Sequence, residues 1–243
     1  MLTTSNYQNN MLIFDHVTKT YGNGTKALVD VSFTIDAGEM VVLSGPSGAG
    51  KTTIIKLILK EISPTKGVIK VDSDDISKIS SRNIALLRRK VGVVFQDFKI
   101  LMDRTVAENI DLALDILGHD SEVIVKRRAE LLKLTGLSDK ENDFPIQLSG
   151  GQLQRVIIAR ALAGEPKILF ADEPTGNLDA KTARGVIDLL AEINKQGTTV
   201  IIATHETNLI KNLKARQLEL QEGSLVKDTK TKTKNQVLIT KNQ

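Results

Sequence analysis

Gly45-Pro46-Ser47-Gly48-Ala49-Gly50-Lys51-Thr52-Thr53 constrains this chain more than any other stretch. An apolar run, Met40-Val41-Val42-Leu43, precedes it, and Ile54-Ile55-Lys56-Leu57-Ile58-Leu59 follows with apolar spacing that suits a helix. Strand, glycine-rich turn and helix, in that order, form the phosphate-binding pattern Gly-x-x-x-x-Gly-Lys-[Ser/Thr]. The residue types are set by the chemistry. Glycines let successive backbone N–H groups point at phosphate oxygens with no side chain in the way. A helix beginning near Lys51 adds its positive end to the same anion. Lys51 is expected to reach the β- and γ-phosphates of a nucleotide, and the Thr52 hydroxyl to ligate Mg²⁺.

The rest of the chain supplies a scaffold for such a loop. Residues 1–10 are expected to be a loose leader, too polar and uncharged for a secretory signal. A strand is expected at Leu12–Phe14 and a turn at Tyr21-Gly22-Asn23-Gly24. Val29, Val31, Phe33 and Ile35 alternate with Asp30, Ser32, Thr34 and Asp36, the period of a half-buried antiparallel strand. Gly67–Val71 reads as a short strand and Ile84–Lys90 as a basic amphipathic helix. Val91–Phe95 reads as a buried strand that delivers Gln96. Thr105-Val106-Ala107-Glu108 is a capping box for a helix that Gly118 ends, and Val125–Leu134 is a second helix stopped at Gly136. Residues 97–163 are therefore expected to be mainly helical. Ile168–Ala171 and Thr199–Ala203 read as buried strands flanking a helix over Ala180–Lys195. Leu218–Leu220 and Leu225–Val226 around Glu222-Gly223 predict a hairpin, and the Lys-rich residues 226–243 a mobile tail.

Composition removes several classes. No apolar run approaches the roughly 18–20 residues needed to cross a bilayer. The absence of cysteine excludes disulfides and thiolate metal sites and fits a reducing cytosol. The net charge of +4 is spread along the chain, so nucleic acid is not expected as the main ligand.

Strands alternating with helices predict an α/β fold with a parallel sheet and helices on both faces, whose ligands sit at the carboxyl ends of the strands. Gly45, Gln96, Asp172 and His205 each directly succeed a predicted strand. Asp172 is expected to hold Mg²⁺, directly or through water. Glu173 is expected to polarise the attacking water as general base, a role worth about 10²–10⁴ in rate. Two acids can also simply cap a strand. Gln96 could reach both metal and water, and His205 could hydrogen-bond the γ-phosphate. Taken alone, a residue like Gln96 is most often a polar loop residue, and one like His205 is usually a surface or core histidine. Leu148-Ser149-Gly150-Gly151-Gln152 forms a second anion site, with Ser149 as N-cap and uncovered amides at the glycines, for the nucleotide of another subunit. An ordinary glycine-rich helix start is the alternative.

Over residues 11–225 the chain resembles the ABC ATPase family. Gly45–Thr53 match its Walker A motif, Gln96 its Q-loop and Leu148–Gln152 its signature. Ile168–Glu173 match Walker B, Gly176-Asn177-Leu178-Asp179 the D-loop, and His205 the switch histidine. The resemblance implies a P-loop NTPase fold with a mostly parallel sheet, an N-terminal antiparallel β subdomain and an inserted helical subdomain. It also implies that Tyr21 stacks on adenine. Head-to-tail homodimers would share two ATP molecules, with Ser149, Gly150, Gly151, Gln152 and Asp179 of one subunit facing the nucleotide of the other. The helical insert and Gln96 would face a membrane partner, placing the protein at the cytoplasmic face of the plasma membrane. Pro174–Asp179 look like the group of lipoprotein-release, macrolide-efflux and cell-division ATPases. Phe95–Val106 and Asn142–Leu148 look most like the cell-division members, which work with an integral membrane protein. An efflux or lipoprotein-release partner, a soluble ATPase acting on DNA or cofactor assembly, and a division scaffold are the alternatives. Long coiled-coil insertions, expected of DNA-acting relatives, are absent. Asn194-Lys195 is succeeded by Gln196-Gly197, which does not make the Asn-Lys-x-Asp element of GTPases.

Overall fold

The computed structural model describes residues 10–97, 99–206, 210 and 213–230. The chain runs β1 (Asn10–Thr20), β2 (Lys26–Asp36), β3 (Met40–Ser44), α1 (Lys51–Ile58), β4 (Lys66–Val71), β5 (Asp74–Asp75), α2 (Ile84–Arg89) and β6 (Val91–Val94). It continues through α3 (Val106–Leu117), α4 (Ser121–Thr135), α5 (Gly150–Leu162), β7 (Ile168–Asp172), α6 (Ala180–Lys195), β8 (Thr199–Thr204), β9 (Arg216–Gln221) and β10 (Ser224–Asp228). One sheet has the order β10-β9-β3-β8-β7-β6 and is parallel except at β10. The other, β2-β1-β4-β5, is antiparallel throughout.

Continuous apolar runs make β3, β7 and β8 the centre of the large sheet, because side chains on both of its faces are buried. Val42, Leu169, Ala171, Val200 and Ile202 face a core shared with α3–α6. Val41, Leu43, Ile168, Phe170, Ile201 and Ala203 face the opposite core. The pattern predicts helices over both faces, and the structure has them on both, with α1 and Leu87 of α2 on the second face sharing it with the antiparallel sheet. There α1 is only eight residues long, about 12 Å, too short to cover the sheet alone. The antiparallel sheet completes the cover with Leu12, Phe14, Val31 and Phe33, and the Phe14 and Phe33 rings stack at 4.7 Å between centroids.

The expected alternation in β2 holds for Val31, Phe33 and Ile35 but not for Val29, which is exposed; Leu28 takes the buried place instead. The pairing of β1 with β2 slips between Phe14 and Val17, where His16 of β1 has φ of 50°, and again between Val17 and Lys19, where Asp30 of β2, between Val31 and Leu28, has φ of 51°. His16 Nδ1 and Asp30 Oδ1, one from each of these slips, lie 2.7 Å apart. Such an extra residue flips the facing of the strand beyond it.

The Thr105–Glu108 capping box forms as expected, and Gly118 and Gly136 close α3 and α4 in left-handed conformation. No helix covers residues 99–105, so the helical insert is α3, α4 and the start of α5. α5 packs on both α4 and β6, joining insert and sheet.

At the chain's end the hairpin runs past Leu225 to Asp228. Arg216, buried on β9, donates from Nε and Nη2 to the two Asp228 oxygens at 2.7 and 2.6 Å and from Nη1 to Glu39 at 3.2 Å. Lys230 Nζ reaches Asp36 at 2.7 Å. Ordered contacts thus extend to Lys230, into the stretch expected as mobile. The remaining residues of the expected tail, 231–243, and residues 1–9 of the expected leader lie outside the described residues, while Asn10 opens β1. Burial pushes the Asp228 carboxyl up, but the Arg216 hydrogen bonds and charge outweigh it and hold the group below its usual 3.8. Asp228→Ala is therefore expected to cost about 2 kcal/mol in chemical denaturation at neutral pH. A depressed carboxyl stabilises above its unfolded value and stops doing so as pH falls, so the difference between wild type and variant should shrink below pH 3.8.

Candidate nucleotide site

The loop after β3 needs its glycines for two separate reasons. Gly45, Gly48 and Gly50 have φ of 151°, 80° and 110°, positions that an L side chain rarely takes. A Cβ on Gly45 would also lie 2.4 Å from the Leu220 carbonyl oxygen, and one on Gly50 2.7 Å from that of Ala27. Gly48 faces open space, so only its backbone angle requires glycine. The turn between β9 and β10 braces the loop: Gly223 N–H donates to the Ala49 carbonyl at 3.2 Å, and Val29 N–H donates to the Gly223 carbonyl at 2.9 Å. Sequence reasoning read Gly223 only as a hairpin turn. Its contact with the loop has no signal in local sequence.

Because β3, β8, β7 and β6 are neighbours, the residues just past their carboxyl ends gather at one edge of the sheet. Lys51, Thr52, Thr53, Gln96, Asp172, Glu173 and His205 line a single cleft of about 540 Å³ with Pro46, Ser47, Gly48 and Gly50 of the loop. A larger depression of about 740 Å³ beside β4 holds none of them. Lys51 is buried, and its Nζ donates to the Gly45 and Pro46 carbonyls at 2.7 and 3.2 Å. It also lies 3.8 Å from Glu173 Oε1. Glu173 has φ of +47°, a strained position for a side-chain-bearing residue. Its Oε1 accepts from His205 N–H at 3.1 Å and lies 2.8 Å from His205 Nδ1; its Oε2 accepts from the Thr204 hydroxyl at 3.1 Å. Burial and then the neighbouring Glu173 charge push the Asp172 carboxyl up, against the opposing pull of Lys51 and the Thr52 hydrogen bond. A partly buried carboxylate short of positive charge, touching a hydroxyl and near an amide, suits a hard cation with oxygen ligands. Among the described residues no group of three or more His, Cys, Asp and Glu could hold a metal by itself. A Mg²⁺ that brings phosphate and water ligands needs only one or two protein carboxylates.

Other expected residues lie elsewhere. Tyr21 places its hydroxyl 3.3 Å from Thr53 Oγ1, beside the loop, with Lys19 Nζ 5.4 Å from its ring centre. Ser149 caps α5 in a capping box with Gln152, the Ser149 hydroxyl accepting from Gln152 N–H at 3.3 Å. Neither these two nor Gly150, Gly151 or Asp179 line the cleft of their own chain. Asp179 instead caps α6, accepting from Lys181 and Thr182 N–H, and the Thr182 hydrogen bonds hold its carboxyl low. Gly151 has a packing role that the anion-site reading overlooked. A Cβ there would sit 2.1 Å from Thr182 Cγ2, so a side chain at this position would force Thr182 of α6 to move.

A phosphate loop facing an acidic strand end, at the carboxyl edge of a mostly parallel sheet, defines a P-loop nucleotide-binding domain. Residues 28–176 match the family model described as ABC transporter, and the chain belongs to that family. It is similar to the cell division ATP-binding protein FtsE of Bacillus subtilis, 48% identical over 90% of this chain and 96% of that protein. The FtsE proteins of Escherichia coli K12 and Mycobacterium tuberculosis are 46% and 45% identical, over 88% and 90% of this chain and 97% and 95% of theirs. Among solved structures, the dimeric ATP-binding cassette MJ0796 in a post-hydrolysis state with ADP and Pi is 38% identical with a TM-score of 0.78, covering 90% of this chain and 97% of that one. cbiO1 of Clostridium perfringens, part of an ABC transporter complex, is 30% identical with a TM-score of 0.86, over 90% and 88%.

Gly223→Ala tests the brace. A new Cβ 2.8 Å from the Ala27 carbonyl, at φ of +78°, is expected to cost about 1–2 kcal/mol of stability. It should also weaken binding of a fluorescent ATP analogue, because the Ala49 carbonyl loses its support. Unchanged affinity in the folded variant would remove the hairpin from the site's support.

Proposed function

We propose that this chain is the ATP-binding and ATP-hydrolysing subunit of an FtsE-type membrane complex acting in bacterial cell division. One observation carries the enzymatic half: four adjacent parallel strands bring the loop, Gln96, the Asp172-Glu173 pair and His205 to one cleft. The cell-division half rests on FtsE relatives 45–48% identical over nearly their whole length.

The loop amides from Gly45 to Thr53 cradle the phosphates of ATP, Lys51 neutralises the β- and γ-phosphates, and Tyr21 stacks on the base. Thr52, Asp172 and Gln96 would hold Mg²⁺, which would supply charge neutralisation at the transferred phosphoryl group. Glu173 orients and deprotonates the attacking water, and His205 contacts the γ-phosphate. Lys51 exchanges its present Gly45 and Pro46 carbonyl partners for phosphate oxygens, a stronger charge-assisted interaction. Ser149, Gly150, Gly151, Gln152 and Asp179 serve the nucleotide of a second copy, so two copies close head to tail around two ATP molecules; the dimeric cassettes among the similar structures support dimerisation. Hydrolysis removes the shared phosphate contacts and the dimer reopens, a population shift that an FtsX-like integral membrane partner transmits to cell-wall hydrolases. No helix among the described residues is long and apolar enough to cross a membrane. Attachment at the cytoplasmic face of the plasma membrane is therefore assigned to that partner.

Glu173→Gln is expected to keep ATP binding, slow turnover at least about tenfold and accumulate ATP-bound dimer on size exclusion. Near-normal turnover would take the general-base role from Glu173. Lys51→Ala should weaken ATP binding, and Ser149→Arg should stop dimerisation while leaving monomer binding intact. A Ser149→Arg protein that still dimerises on ATP would refute the shared site. Pull-down of the full chain from membranes decides the partner: recovery of a lipoprotein-release or efflux permease instead of an FtsX-like protein would overturn the division assignment.

A further inference from the structure

The carboxylate assigned as general base has a hydrogen-bond partner, Thr204, to which the proposed reaction gives no task. Thr204 is the last residue of β8 and is 2% exposed. Its hydroxyl accepts from Glu206 N–H at 3.0 Å. A hydroxyl has a single proton, and with Glu206 N–H occupying an acceptor position that proton is directed to Glu173 Oε2 at 3.1 Å. The arrangement is rigid on both sides. Thr204 is pinned in the sheet by its register with Ser44 of β3, and Glu173 N–H donates to the Ala203 carbonyl at 2.8 Å.

The two oxygens of Glu173 are not equivalent. Oε1 is engaged by Lys51, by the His205 ring and by His205 N–H. Lys51 and the His205 ring are the groups assigned to the γ-phosphate, so a bound nucleotide competes for both. The Thr204 hydroxyl has no such competitor. We infer that Thr204 is a positioning residue: its hydroxyl anchors Glu173 Oε2 and leaves Oε1, still accepting from His205 N–H, turned toward the attacking water once the nucleotide draws Lys51 and the His205 ring away. This rests on the general-base reading of Glu173. The positive φ of Glu173 strengthens the need, because a strained backbone does not by itself select one carboxylate orientation. Small misplacements of a reacting group carry large rate effects.

Thr204→Val keeps the volume and β-branching while removing the hydroxyl. In Mg²⁺-ATP turnover by the full chain it is expected to lower kcat about tenfold, the size of one hydrogen bond to a charged group, with KM for ATP within about twofold of wild type. Thr204→Ser should recover most of the rate. In a Glu173→Gln background, Thr204→Val should have no further effect. A Thr204→Val enzyme turning over within twofold of wild type, or one equally impaired in both backgrounds, overturns the inference. Failure of Thr204→Ser to restore the rate overturns it too. If Thr204→Val does not fold, Thr204→Ala, shown to bind ATP, takes its place in the same cycle. The two readings fail separately: a fast Glu173→Gln enzyme removes the general base, whereas a slow Glu173→Gln with a fast Thr204→Val removes only the Thr204 role.

Discussion

Parallel pairing of β3 with β8, and of β8 with β7, is the constraint on which the site depends. In a parallel sheet all strands end on the same side, so residues far apart in sequence meet at one edge without folding toward each other. Lys51 and Glu173 lie 3.8 Å apart across that edge, and Glu173 reaches Thr204 and His205 on the next strand. Antiparallel order at β8 would send Thr204 and His205 to the far end. The same pairing buries both faces of β3, β7 and β8, which is why their sequences are apolar runs rather than alternations.

Within the cleft the charged groups contact one another and the loop. Lys51 donates to loop carbonyls, Glu173 accepts from three neighbouring groups, and Asp172, short of compensating charge, has its carboxyl pushed upward. Lys51 already lies within ion-pair distance of Glu173, so a bound phosphate would compete with that carboxylate for its charge.

Glycine placement shows how far local sequence can be read. The pattern Gly45 to Lys51 announces a phosphate loop, and Gly118 and Gly136 announce helix ends, because each requirement is local. Gly151 and Gly223 look equally ordinary in sequence, yet the first admits Thr182 of a different helix and the second braces Ala49 from a distant hairpin. The alternation from Val29 to Ile35 was legible except at Val29, where a bulge formed with a separate strand reverses the facing. Asp228 sits in a stretch whose composition predicts mobility, and a buried arginine on another strand holds it in place.

The amino-acid order by itself determined the nucleotide loop, the helix caps, the apolar strands and the residues that succeed them, since propensity, capping and periodicity act within a few residues. It also carried the resemblance to a family through motifs whose spacing is tied to those elements. Only the tertiary structure decided which strands are neighbours, that Thr204 rather than an adjacent polar group holds Glu173 Oε2, and that the terminal hairpin supports the loop. These are contacts between segments far apart in the chain, and their partners are chosen by packing of the whole core rather than by any local preference.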